Sequence, residues 1–357
     1  MYADSRGGPE MVDILSCSLD ELRGLFEKFG EKLFRANQVF DWVYTKRAQS
    51  LSEMTNLSKG LRERLEKSLA FPVMDIAQRQ VSSDGTEKFL LALEDGNYIE
   101  SVLLKHPDHT TFCISSQVGC PLNCSFCATG ASGFTRDLTP GEIVGQVVLM
   151  EREQGRPVDN IVFMGMGEPF LNEESVYKAI DILHEPAGRN LGMRHFTIST
   201  AGLPDGIRRL ADSGRELKLS ISLHSVDDTV RSGMMPVNRK YPLPVLKEAL
   251  EYYQARTGNR LTFEYALVEG LNDSVDDALR LAEYLKGLKS FVNVIPVNPV
   301  NAIHKRPTDA KIQRFIETLK SKRLETALRY ERGTDIAAAC GQLRQRKGGR
   351  AWKGEEA

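Results

Sequence analysis

The segment CPLNCSFCATG places three cysteines, Cys120, Cys124 and Cys127, within eight positions of a 357-residue chain that has six cysteines in all. A structural zinc site takes four ligands, commonly as two closely spaced pairs, and a disulfide takes an even count. Three thiolates can instead hold a metal cluster and leave one of its metals without a protein ligand, open to a substrate or cofactor. The plain alternative is a zinc knuckle, but no fourth ligand stands at finger spacing.

A second set of small and polar residues recurs downstream: Gly165, Gly167 and Glu168 in GMGEP, then Ser199-Thr200, Ser222-Leu223-His224 and Asn298-Pro299. A backbone-rich turn with one carboxylate suits an ammonium group. The G-x-G alone lacks the rest of a dinucleotide fingerprint. On its own, His224 reads as a structural hydrogen bonder.

These positions need a scaffold. From Thr111 onward, apolar runs alternate with amphipathic stretches, which predicts a parallel sheet with helical crossovers. Six strands are expected: TFCISSQ, NIVFMGMG, HFTIST, LKLSISLH, LTFEYALV and FVNVIPVN. The first helix between them carries its own start signal, with Thr139 as N-cap, Pro140 at the first position and Glu142 completing a capping box. The polar clusters fall at the carboxyl ends of strands, where parallel α/β architectures bind ligands, so they map to one rim together with the three cysteines.

Upstream, Leu19, Leu22, Leu25, Phe26 and Phe29, then Val39, Trp42 and Val43, then Leu57, Leu61, Leu65 and Leu69 keep helical spacing. EDGN at Glu94 to Asn97 is a hairpin turn signal between KFLLAL and YIESVLL. The expected organisation is an N-terminal helical domain over 1–72, whose excess of basic residues suits positioning of a phosphate backbone, a β-hairpin connector over 73–108, an α/β barrel over 109–345 and a basic tail over 346–357.

Net charge is −1, which gives no global bias toward nucleic acid. Basic residues do outnumber acids between Glu21 and Lys67, and the tail adds Arg346, Lys347, Arg350 and Lys353. Either group can meet phosphate or simply be solvated. No apolar run reaches membrane-spanning length, and the N-terminus lacks a secretory pattern, so a cytoplasmic protein with reduced cysteines is expected.

C-x3-C-x2-C on a loop leaving the first strand of a β/α barrel resembles the radical S-adenosylmethionine (SAM) enzymes. There three thiolates hold three irons of a 4Fe–4S cluster, and the amino and carboxylate groups of SAM chelate the fourth. Other features resemble more narrowly the dual-specificity adenine-C2 RNA methyltransferases of the RlmN family. They are GMGEP, FCISSQVGC (Phe112 to Cys120), DIAAACGQL (Asp335 to Leu343), SLH at Ser222 to His224 and the N-terminal unit. The resemblance covers nearly the whole chain. It implies a partial six-stranded (β/α) radical-SAM barrel, with Cys120, Cys124 and Cys127 as cluster ligands. It also implies SAM contacts from Gly167, Glu168, Ser199, Ser222, Leu223, His224 and Asn298.

The resemblance further implies a mechanism. Adenine carbon 2 is electron-poor and cannot attack the SAM methyl as a nucleophile, so a radical route is used. One SAM methylates Cys340, and a second yields a 5′-deoxyadenosyl radical that takes a hydrogen from that methyl. The resulting methylene radical adds to carbon 2. After electron loss and proton removal, for which Glu100 matches the proposed acceptor, Cys113 attacks the Cys340 sulfur. The disulfide so formed releases the methylated base. Taken singly, Cys113 is a strand cysteine and Cys340 a packing residue amid Ala337, Ala338 and Ala339. Implied partners are 23S rRNA, tRNA and a reductant such as flavodoxin or ferredoxin, with the enzyme a monomer. The rival enzyme reading is a carbon 8 methyltransferase of the antibiotic-resistance type, and the rival from another class is a zinc-stabilised RNA-binding module.

Overall fold

The structure, a computed structural model, describes residues 11–298, 303–329 and 331–344. Arg346, Lys347, Arg350 and Lys353 of the tail, and the residues directly after Asn298, lie outside the described residues.

The N-terminal unit has helices α1 (Leu19–Lys28), α2 (Leu33–Tyr44) and α3 (Lys59–Leu65). Ser18 and Glu21 cap α1 reciprocally, and Leu19, Leu22 and Phe26 bury its apolar stripe. The leucine spacing over 57–69 predicts a longer third helix than the one observed, because Ser58 caps it at Lys59 and Leu69 pairs with Val12 in a short parallel bridge. This unit is not a free appendage. Ser16 Oγ accepts the Gly141 N–H at 2.8 Å. Arg47 reaches the buried Glu151 at 3.3 Å, and Phe40 fills the space a side chain at Gly188 would need.

Ten strands form one sheet in sequential order: β1 (Met74–Val81), β2 (Glu87–Leu93), β3 (Tyr98–Lys105), β4 (Thr110–Cys113), β5 (Asn160–Phe163), β6 (Phe196–Thr200), β7 (Lys218–Ser222), β8 (Leu261–Leu267), β9 (Ser290–Pro296) and β10 (Glu325–Leu328). The first three join β4 as an antiparallel meander, turning at Asp95–Asn97 as the EDGN signal predicts. From β4 onward every pairing is parallel. All six strands expected from the sequence are present, and β10 adds a short, half-exposed seventh at the edge.

Helices α4 (Pro140–Gln154), α5 (Glu173–His184), α6 (Pro204–Asp212), α7 (Asp228–Met234), α8 (Leu243–Thr257), α9 (Val275–Tyr284) and α10 (Asp309–Ser321) follow the parallel strands. The capping box at Thr139 and Glu142 forms as expected. Alternation along the strands decides what each face does. Phe196, Ile198, Leu219, Ile221, Phe263, Val292 and Val294 are buried in the apolar core. Thr197, Ser220, Thr262, Glu264 and Asn293 point the other way and line a cavity of about 490 Å³. A sheet whose seven adjacent strands, β3 to β9, line one cavity must curl, and its order has two ends, so the parallel part is a partial barrel.

Candidate active site

Beyond β4 the chain forms a small ribbon, Gln117–Gly119 against Phe134–Asp137, which closes the intervening loop onto the barrel rim. The loop is tied at several points: Cys120 N–H to Gly133 O at 2.9 Å, Ser125 N–H to Met234 O at 2.9 Å and Ala128 N–H to Gly341 O at 2.7 Å. Gly130 is required here, because a Cβ would come within 2.9 Å of the Cys124 nitrogen. Cys120, Cys124 and Cys127 are half-buried and line one cavity of about 170 Å³.

Burial pushes the Cys120 thiol up to about 12, and burial with the neighbouring Cys127 and Cys120 raises Cys124 as well. Such thiols stay protonated at neutral pH unless a cationic group draws the protons off. Among the described residues no three His, Cys, Asp or Glu side chains converge to hold a single ion. The three cysteines share one wall with Leu122 and Phe126. An all-sulfur donor set of three fits a polynuclear iron–sulfur group with one open position better than a structural zinc site, which takes four ligands.

The opposite wall is built from strand ends. Gly165 and Gly167 pass directly against the chain leaving β4. A Cβ on the first would sit 2.6 Å from Ile114 O, and one on the second, whose φ is +107°, would sit 2.7 Å from Gln117 Cβ. Glu168 is buried and accepts the N–H groups of Ala201 at 2.7 Å and Phe170 at 3.2 Å. Burial outweighs these bonds and raises its pKa to about 7. Ser199, Ser222, His224 and Asn298 complete the wall. His224 has φ +58°, accepts the Ala266 N–H on Nδ1 at 2.9 Å and meets Phe126 edge-on at 4.6 Å. Its pKa is pushed down to about 3 by burial and then by Arg231, so it is a neutral, positioned ring. Leu223, between Ser222 and His224, is 0 % exposed and does not line the cavity.

The two cavities meet. Cys340 lines both, as do Asn298, Glu264 and Arg329, whereas Cys113 lines only the larger. The segment carrying Cys340 is held from both sides. Asp335 accepts from Ser82 Oγ at 2.6 Å, Ala337 O accepts from Lys88 at 3.1 Å, and Leu343 O accepts from Thr129 Oγ1 at 2.6 Å. Asn298 Nδ2 donates to the Cys340 carbonyl at 3.4 Å. Burial, with the nearby Cys340, pushes the Cys113 thiol up to about 12, against the pull of Arg329. Glu100 is buried beneath this segment and lines neither cavity; its carboxylate accepts the Arg344 N–H at 2.9 Å and lies 3.6 Å from Lys88 Nζ.

Three residues of the site stand outside every motif read from the sequence. Arg329 follows β10, pairs with Glu264 at 3.2 Å and has its pKa raised first by the Cys340 sulfur, then by Glu264 and Cys113. Asn272 is fully buried and donates to His224 O at 2.6 Å and Ala266 O at 2.8 Å, fixing the left-handed turn. Arg231 is buried behind Ser222 and Ala201. Recognition of β10 as a strand was the one clue that would have pointed to Arg329.

Comparison with known proteins follows the same division. Residues 12–70 match the ribosomal RNA large subunit methyltransferase N-terminal domain, and residues 114–282 match the radical SAM superfamily. A Thermotoga neapolitana protein named "Probable dual-specificity RNA methyltransferase RlmN" is 48% identical over 338 residues, covering 94% of this chain and 98% of that one. A protein of the same name from Fervidobacterium nodosum is 48% identical over 339 residues, covering 94% and 97%. The crystal structure of a radical SAM methyltransferase from Sphaerobacter thermophilus superposes with a TM-score of 0.90 at 45% identity, covering 94% of this chain and 99% of that one. Among the described residues no helix is long and apolar enough to cross a membrane.

Proposed function

Because this chain belongs to the RlmN family of radical SAM RNA methyltransferases, we propose that it methylates carbon 2 of adenosine in 23S rRNA, at the peptidyl transferase centre, and in tRNA, 3′ to the anticodon. One observation carries the reading: Cys340 stands on the walls of both cavities, and Cys113 faces only the larger. A single sulfur so placed reaches a cofactor on one side and a base on the other.

Cys120, Cys124 and Cys127 would hold the cluster, and the wall from Gly165 to Glu168, with Ser199, Ser222, His224 and Asn298, would hold SAM. When bound, these cofactors supply the methyl group and the one-electron chemistry that activates it. The protein's own part is positional. Cys340 takes the methyl on its sulfur and presents that carbon to an unstacked adenine in the larger cavity. Cys113, as thiolate, then attacks the Cys340 sulfur, forming the S–S bond and breaking the S–C bond; the bonding pair leaves with the carbon attached to the base, which takes up a proton to become the methyl group. Arg329, which lines both cavities together with Cys340, favours the thiolate form of Cys113. A flavodoxin or ferredoxin in the cytoplasm would deliver electrons to the monomeric enzyme.

The test is mass spectrometry of nucleosides from 23S rRNA and tRNA of a deletion strain and its complemented parent. Loss of 2-methyladenosine from both RNAs is expected. Loss of 8-methyladenosine would move the reading to carbon 8, and unchanged RNA would sink it.

A further inference from the structure

Arg231 is a large side chain wholly withdrawn from solvent, at 0 % exposure. Its guanidinium donates to four oxygens: Leu223 O at 3.0 Å, Ala201 O at 2.7 Å, Ser222 O at 3.3 Å and Asn238 Oδ1 at 2.7 Å. All four acceptors are neutral, and none of the described ion pairs involves it. An acid stands only at one remove, where Asn238 donates to the exposed Asp228 at 2.8 Å. Burial accordingly pushes the Arg231 pKa down to about 10. The strand-end carbonyls do need donors, but neutral amide donors would serve them without desolvating a charge. The choice of a cation requires a second account.

That account lies across the cavity wall. Ala201 and Ser222, whose carbonyls Arg231 holds, line the cavity of the three cysteines, and so does Met235, whose N–H donates to Arg231 O at 2.6 Å. Met234, at the end of α7, accepts the N–H of Ser125 from between Cys124 and Cys127. Cys124 is among the ionisable groups that face Arg231. The other ionisable groups that it meets are Tyr284 on α9 and Asp228 on α7, and His224 beside it is kept neutral.

From this placement we propose that Arg231 is an electrostatic tuning residue, whose buried charge stabilises the reduced state of an iron–sulfur cluster held by Cys120, Cys124 and Cys127. The inference rests on the cluster reading of those cysteines. Three thiolates give such a cluster negative charge, and reduction by one electron adds another. A fixed cation in a low-dielectric wall favours the more negative state, raises the reduction potential and is little screened by salt.

The test is an EPR-monitored potentiometric titration of anaerobically reconstituted wild type, Arg231→Lys, Arg231→Met and Asp228→Asn. Arg231→Met should shift the midpoint to more negative potential while Arg231→Lys stays near wild type. Asp228→Asn, which removes the remote counter-charge and keeps an acceptor for Asn238, should shift it the other way. An unchanged midpoint in Arg231→Met, or equal shifts in the Lys and Met variants, overturns the proposal, since lost packing would then be the cause. If Arg231→Met fails to retain iron, Asp228→Asn decides alone: an upward shift supports the proposal and no shift overturns it. A wild type with no iron–sulfur signal would instead overturn the cluster assignment, a distinguishable result.

Discussion

The backbone N–H of Arg344 donates to Glu100 at 2.9 Å, so the hairpin carboxylate ties down the segment that carries Cys340. A residue expected to accept a proton from substrate is, in this arrangement, a tether. The two roles separate by substitution. Glu100→Gln keeps an acceptor for Arg344 but loses basicity, so methyl loading of Cys340 should persist while turnover falls by 10²-fold or more, the usual worth of a general base. Glu100→Ala should in addition speed hydrogen exchange across residues 337–344. Equal exchange in both variants would remove the tether role.

Cys113 and Cys340 should differ in a single observable although both alanine variants are inactive. Cys113→Ala can still load and attach the base but cannot release it, so protein joined to RNA should accumulate. Cys340→Ala has no carrier and should carry none. Denaturing gels with and without ribonuclease settle this, and an adduct on Cys340→Ala contradicts the carrier mechanism.

Replacement of Cys120, Cys124 and Cys127 together by alanine should abolish iron binding and leave circular dichroism and the unfolding transition close to wild type. The three side chains stand on a rim loop that backbone hydrogen bonds hold independently of the thiols. Iron retained in the triple variant would sink the ligand assignment.

Glu168 makes the apoprotein's stability depend on pH. Its folded pKa is raised from 4.5 to about 7, so the folded state favours the protonated form. Stability is greatest below the unfolded value and is lost as pH rises through the window from 4.5 to about 7, on the order of 3 kcal/mol in full. Urea unfolding of the apoprotein across this window should show the fall, and Glu168→Gln should flatten it. A wild-type curve that rises with pH there contradicts the assignment.

The N-terminal unit shares core and hydrogen bonds with the barrel, so its removal would take away Leu15 from that core and leave Gly141 and the buried Glu151 without Ser16 and Arg47. Surface charge reversal is the cleaner probe of RNA contact. Lys28, Lys32 and Lys67 are exposed. Their combined change to Glu should weaken RNA binding and reduce the salt slope of affinity by roughly one per lost phosphate contact, with SAM cleavage unaffected. An unchanged salt slope would remove these lysines from the RNA surface.

What the sequence determined by itself is local. The capping box at Thr139 and Glu142, the turn at Asp95 to Asn97, the cysteine spacing at 120–127 and the strand ends at Gly165, Ser199 and Ser222 are each set by residues within a few positions of one another. Propensity and alternation therefore reveal them. The short β10 escaped because one exposed and three half-exposed residues at a sheet edge carry little pattern. Tertiary structure alone decided which distant pieces meet. The curl of the sheet brings Cys113, at the end of β4, and Cys340, beyond β10, to one cavity. It also turns Glu100 away from that cavity toward Arg344 and buries Arg231 behind the cysteine loop. These outcomes depend on summed packing over the whole chain. No short-range pattern encodes whether a given Glu or Arg ends in a cavity wall or behind it.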